Sequence, residues 1–264
     1  GVPASPFYAP RASETPADPS VHTGCCRRTA CRRTSRYSRV PPSRTHGRPP
    51  WRDSFQQTRP DIPADFYKKW IKDLREQTKK ELFTVGEFWT GDVQKLHRYI
   101  TETEGEISLF DVPLHYKLSS ASKEENYDLS QLLDNTLVKE MPQLAVTFVD
   151  NHDTEPGQAL FSWIQEWFKP LAYSLILLRK DGLPCVFYGD FYGIPSQNIK
   201  PMGEKLEKII KARKYFAYGE QIDYFDHHDI IAWIRTGDDE HTDSGMVTIL
   251  SDGPGGSKMI NVGK

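Results

Sequence analysis

The sequence predicts an α/β fold of parallel strands covered by helices, followed by the start of an antiparallel β-domain. Three observations carry this. Between residues 61 and 219, apolar runs of strand length alternate four times with helical stretches. Those runs are almost continuously apolar, as expected when helices cover both faces of a parallel sheet. Beyond Gly219 the pattern changes to strand-like runs at residues 230–234 and 246–250, with Gly253-Pro254-Gly255-Gly256 as a turn.

The elements follow in order. Asp61-Ile62-Pro63 opens a helix, because proline is tolerated in a first turn. Phe66, Trp70 and Leu74 recur every four residues beside Ile71 and predict its apolar face. Residues 82–85 are a first strand that ends at Gly86-Glu87-Phe88-Trp89, and a helix with Val93, Leu96 and Ile100 on one side comes next. Residues 107–112 read as the second strand, and Leu129, Leu132, Leu133 and Leu137 mark another helix. Residues 144–149 are the clearest strand and end at Asp150-Asn151-His152-Asp153-Thr154. A helix around Trp163, Trp167, Leu171, Ser174, Leu175 and Leu178 is stopped by Asp181-Gly182-Leu183-Pro184. Residues 185–188 are the fourth strand, and Leu206, Ile209, Ile210 and Arg213 begin the last helix.

The segment before this pattern is different. Residues 1–60 hold 11 Arg and no Lys, only three acids, 10 of the 19 Pro, three of the four Cys, and neither Leu nor Ile. Such a composition cannot bury enough apolar surface to offset its ordering entropy, so disorder or a misread reading frame is expected there. Cys25, Cys26, Cys31 and His22 lack the two spaced ligand pairs of a zinc site. The arginines have no folded nucleic-acid-binding motif behind them, and no nucleic acid partner is expected. There is no apolar core of a secretory signal and no run near the ~18 apolar residues of a membrane span, so no membrane partner is expected; an Arg- and Ser-rich transit peptide is the remaining targeting reading. The expected organisation is an Arg/Pro-rich segment at 1–60, an α/β domain at 61–220 and a truncated β-domain at 221–264. Cys185 is the only cysteine after residue 60, which excludes a disulfide within that part and suits a cytoplasmic protein.

Polar residues fall at the carboxyl ends of the strands, the rim on which parallel barrels build active sites. Glu87 follows the first strand. Asp150, His152 and Asp153 follow the third and place three ionisable groups within four residues. Each has a bland alternative: a solvated loop acid for Glu87, and an Asx-turn for residues 150–153. A metal reading of the second cluster would need further ligands.

Taken together, Val85-Gly86-Glu87-Phe88-Trp89 and Phe148-Val149-Asp150-Asn151-His152-Asp153-Thr154 resemble two signature regions of glycoside hydrolase family 13, the α-amylases. Phe110-Asp111-Val112-Pro113-Leu114-His115-Tyr116, residues 182–190, residues 215–227 and residues 252–256 fit the same order, with likeness to the bacterial liquefying type and its intracellular fungal relatives. The resemblance covers about residues 62–264. It implies a partial (β/α)8 TIM barrel, roughly strands five to eight, and a retaining endo-hydrolase of α-1,4-glucans acting on polysaccharide or maltooligosaccharide. It implies Glu87 as general acid/base, whose raised pKa Phe88 and Trp89 would support by excluding water. It also implies Asp153 as transition-state stabiliser and His152 and Trp89 as sugar-binding groups. A retaining enzyme needs a carboxylate nucleophile. The family's segment for it should precede the helix at Pro63, where this chain has Gln57-Thr58-Arg59-Pro60-Asp61, and Asp61 is misplaced for the role. Calcium is expected of the complete architecture, with no ligand evident in the sequence. The chain alone is therefore expected to be catalytically deficient and to self-associate through open half-barrel edges. The alternative reading is a non-catalytic glucan-binding or remnant fragment.

Overall fold

A computed structural model describes residues 63–262. The expectations for residues 1–60 and for Asp61 lie outside the described residues. Four parallel strands, β1 (Val85–Gly86), β2 (Ser108–Phe110), β3 (Ala145–Phe148) and β4 (Leu183–Cys185), form one sheet in chain order. Each neighbouring pair is parallel, with Gly86 opposite Leu109, Phe110 opposite Val146 and Phe148 opposite Cys185. Helices α1 (Ala64–Thr78), α2 (Val93–Glu102), α3 (Val112–Ala121), α4 (Leu137–Glu140), α5 (Lys169–Leu178), α6 (Tyr188–Tyr192) and α7 (Gly203–Phe216) intervene. An antiparallel sheet of β5 (Gln221–Tyr224), β6 (Ile230–Arg235) and β7 (Met246–Ser251) follows. Parallel strands joined by helical crossovers, then an antiparallel sheet, agree with the predicted class.

Six elements depart from the sequence reading. The first strand, expected at residues 82–85, is β1 at Val85–Gly86, and the helix expected around Trp163 and Trp167 is α5, which starts only at Lys169. The buried stripe of α1 runs through Tyr67 and Ile71, while Phe66 is 44% exposed and only rests edge-on against Tyr67. The helix expected across residues 129–137 is broken, because Asn135 adopts a left-handed conformation (φ 52°) and divides a 3-10 turn at Leu129–Gln131 from α4. Helix α3 begins where a strand was expected to continue. Its N-cap, Asp111, accepts the Leu114 amide at 3.0 Å, and Pro113 sits in its first turn. Strand β4 lies two residues earlier than expected, since Tyr188 already starts α6.

The core is continuous across both sheets. Leu96, Ile100, Leu109, Leu118, Phe168, Tyr173 and Trp233 are fully buried or nearly so. Asp111 reaches across it: besides Leu114 it accepts the amides of Leu137 (3.1 Å) and Val138 (2.7 Å), so one carboxylate caps α3 and α4 together. Burial pushes its pKa up to about 6 against the lowering effect of those three donors. The second sheet docks through Arg179, which grips Asp223 bidentately at 2.7 and 2.8 Å, and through Trp233, whose indole donates to the Leu178 carbonyl. No helix among the described residues is long and apolar enough to cross a membrane.

Candidate active site

Glu87 directly follows β1 and Asp153 lies in the loop that leaves β3. Both strands run the same way with only β2 between them, which places their carboxyl ends on one rim roughly 10 Å apart at the usual strand spacing. Glu87 is buried, at 6% exposure. Phe88 beside it packs against the core and against Tyr99 (ring centroids 5.5 Å).

Trp89 ties the two strand ends together. Its indole N–H donates to the Tyr116 hydroxyl at 2.7 Å, and its ring lies 5.8 Å from His115 and 6.0 Å from Phe148, the last residue of β3. Phe148 in turn stacks on His115 (5.0 Å, 10° between planes) and meets Phe110 edge-on at 5.4 Å. The aromatic cluster thus joins the ends of β1, β2 and β3 through α3.

The loop after β3 contains the Asx-turn raised by its sequence. Asn151 forms the Asx-turn, its Oδ1 accepting the amides of Asp153 and Thr154 at 2.9 Å each. The turn leaves His152 and Asp153 accessible, with side chains 59% and 33% exposed and His152 Nε2 3.5 Å from an Asp153 oxygen. Asp150 points into the protein. It accepts the Thr154 hydroxyl at 2.9 Å and pairs with Lys169 Nζ at 2.8 Å. Lys169, almost fully buried, also pairs with Asp190, which accepts the Tyr173 hydroxyl at 2.6 Å. The ammonium lies 3.1 Å from the Trp163 ring centroid. Burial, aided by the Asp190 charge, pushes Asp150 up to about 7 although Lys169 opposes the shift. A cavity of about 650 Å³ opens against Lys169 and Asp190; neither Glu87 nor Asp153 lines it.

Sequence reasoning missed Lys169 and the role of His115. The buried Lys169 carries no local signal, because its partners are 19 and 21 residues away. His115 stood in a quoted motif without a role. It is wholly buried, with Nδ1 2.6 Å from the Val149 carbonyl and Nε2 2.7 Å from the Ser162 hydroxyl. Burial lowers its pKa to about 4, and the charges of Lys123 and Lys169 act the same way. A base whose pKa falls on folding stabilises the fold above its unfolded pKa, and that contribution is lost as pH drops from about 6.5 to 4. Asp150 and Asp111, raised on folding, change in the opposite sense. Their contributions are present in acid and lost as pH rises through about 7 and 6. Urea unfolding at pH 7 and pH 4, compared between wild type and His115→Phe, cancels the two acids. Acidification is expected to lower wild-type stability by roughly 3 kcal/mol more than that of the variant; equal losses would refute a neutral buried His115.

Calcium needs oxygen donors. Asp229 and Asp252 border one pocket with the loop at residues 121–126. Burial and the Asp229 charge raise the Asp252 carboxyl, whose buried Oδ1 has no hydrogen-bond partner among the described residues. These two carboxylates fit a hard cation. They are 23 residues apart in sequence, which hid them from a motif search. His227 and His228 cluster with Asp229 but offer nitrogen, a poorer match.

A parallel sheet with helical crossovers, with acidic residues following the carboxyl ends of its strands and an antiparallel sheet later in the chain, fits the class of barrel-type α/β enzymes. Within that class the chain belongs to the alpha-amylase family, glycoside hydrolase family 13: residues 26–244 match the alpha-amylase catalytic domain. It is 56% identical over 204 residues to the alpha-amylase of Geobacillus stearothermophilus, covering 77% of this chain and 37% of that protein. It is 50% identical over 204 residues to the glucan 1,4-alpha-maltohexaosidase of Bacillus sp. (strain 707), covering 77% and 39%. It is 45% identical over 214 residues to the cytoplasmic alpha-amylase of Escherichia coli (strain K12), covering 77% and 43%. The chain thus spans about two fifths of the length of the curated relatives it matches. Among solved structures, an Anoxybacillus alpha-amylase shares the fold with a TM-score of 0.52 at 19% identity, over 67% of this chain and 43% of that one.

Proposed function

We propose that the chain is the C-terminal half of the catalytic barrel of an α-amylase-type hydrolase, cleaving internal α-1,4 bonds of starch- or glycogen-like glucans with retention. The observation that supports this is the aromatic cluster of Trp89, His115 and Phe148, which links the end of β1, followed by Glu87, to the end of β3, whose loop carries Asp153. Glu87 gives its proton to the glycosidic oxygen as the C–O bond breaks, then takes a proton from the attacking water. Asp153 holds the sugar and stabilises positive charge at the ring. His152 hydrogen-bonds a sugar hydroxyl and Trp89 offers a ring face. The family's nucleophile segment has no counterpart at Gln57-Thr58-Arg59-Pro60-Asp61, so this chain alone is catalytically deficient. Calcium, held by Asp229 and Asp252, would supply charge neutralisation in the pocket that these carboxylates border with the 121–126 loop. A cytoplasmic location belongs to the same proposal and is supported by the cytoplasmic relative.

The exposure of His152 and Asp153 favours a second reading, a glucan-binding fragment without turnover, because a sugar can reach both without further barrel strands. Strands β1 and β4 pair on one side only among the described residues, and Leu183, Tyr188 and Phe83 are exposed. These features support self-association. One experiment separates the readings. Purified chain is incubated with soluble starch and reducing ends are counted, with sedimentation and maltoheptaose binding measured on the same sample. The expected result is concentration-dependent association and no turnover above a Glu87→Gln control. Robust turnover would overturn the deficiency, affinity without turnover would favour the binding fragment, and neither would leave a remnant.

A further inference from the structure

We propose that His115 is a positioning residue for the sugar site: its imidazole clamps the two ends of the segment that carries Asp153 and braces Trp89 against the same ring. The role in sugar binding rests on the reading of Asp153 and Trp89 given above; the clamp itself does not.

The geometry is specific. Val149 immediately precedes the loop and Ser162 closes it, and the ring joins them 34 and 47 residues from its own place in the chain. A carbonyl only accepts, so Nδ1 carries the proton toward Val149. In the neutral ring Nε2 then has a lone pair, and the single Ser162 hydroxyl proton, which also has the Leu160 carbonyl within reach at 2.8 Å, is the one that can meet it at 2.7 Å. Within the loop, the Leu160 amide donates to the Asp153 carbonyl at 3.1 Å and the Ser162 amide to the Thr154 carbonyl at 3.2 Å. Pinning residues 149 and 162 therefore fixes the backbone on both sides of Asp153. On its faces and edges the ring meets Phe148 (5.0 Å), Tyr116 (5.6 Å) and Trp89 (5.8 Å). One side chain on α3 thus sets the relation between the β1 end and the β3 loop.

The test is residue-resolved amide hydrogen exchange on the whole chain, with nitrogen-15 NMR of the histidine rings. Wild-type His115 is expected as the neutral Nδ1–H tautomer at pH 7. His115→Phe keeps the ring packing and removes both hydrogen bonds; exchange at residues 150–162 should rise at least tenfold while α2 is unchanged. The conservative pair is sharper. His115→Asn places an amide nitrogen near the position of Nδ1 and should keep the Asp150–Asp153 end protected while freeing the Ser162 end. His115→Gln, reaching toward the Nε2 position, should do the reverse. Equal acceleration in α2 and α5, no split between the Asn and Gln variants, or a doubly protonated wild-type ring would overturn the clamp. Should His115→Phe fail to fold, the conservative pair and the wild-type tautomer decide. A sound clamp in a chain that does not bind maltoheptaose would overturn the sugar role and leave the clamp standing.

Discussion

Replacing Glu87 by Gln in a barrel completed with the remaining strands is expected to lower starch hydrolysis about a thousandfold, with maltooligosaccharide affinity little changed. Gln has the same shape and cannot deliver a proton to the leaving oxygen. Glu87 is buried beside Phe88, which itself packs on Tyr99, so the substitution leaves the packing around it in place. The loss should therefore appear in kcat and not in KM, and the alkaline limb of the pH–rate profile, set by the acid that must stay protonated, should change with it. Initial rates on soluble starch decide; turnover within tenfold of wild type would remove Glu87 from the chemistry.

The second large effect is on stability. Lys169→Met leaves Asp150 and Asp190 buried together without their shared cation. Removing one partner of a buried ion pair typically destabilises by about 3–5 kcal/mol, because the remaining charge is uncompensated. Urea unfolding at pH 7 should show a loss of that order. The loss should shrink in acid, where Asp150 takes up a proton, and adding Asp150→Asn and Asp190→Asn should recover part of it. A loss below ~1 kcal/mol at pH 7 would mean that the network contributes little beyond packing.

The fold was readable wherever an element is defined by its own residues. The apolar run at residues 144–149 contains β3, and the Val93, Leu96 and Ile100 stripe is the buried face of α2. It was not readable where distant groups decide. Helix α4 starts at Leu137 because Asp111, 26 residues upstream, accepts its first amides. Helix α3 had a legible signal, Asp111 followed by Pro113, but the apolar residues before it extended the strand reading across the cap. The candidate site divides in the same way. Glu87, His152 and Asp153 stand out because ionisable residues at strand ends are unusual beside apolar runs. His115, Lys169 and the Asp229–Asp252 pair depend on contacts between chain-distant segments, which a linear pattern does not encode.

The account turns on two carboxylates acting on one glucosidic linkage. A crystal structure of the chain soaked with maltoheptaose tests this most directly. A single glucose unit should contact Asp153, with the adjoining glycosidic oxygen within hydrogen-bond reach of Glu87 and the two carboxyl groups less than about 10 Å apart. Sugar bound away from this rim, or carboxylates facing separate openings, would contradict it.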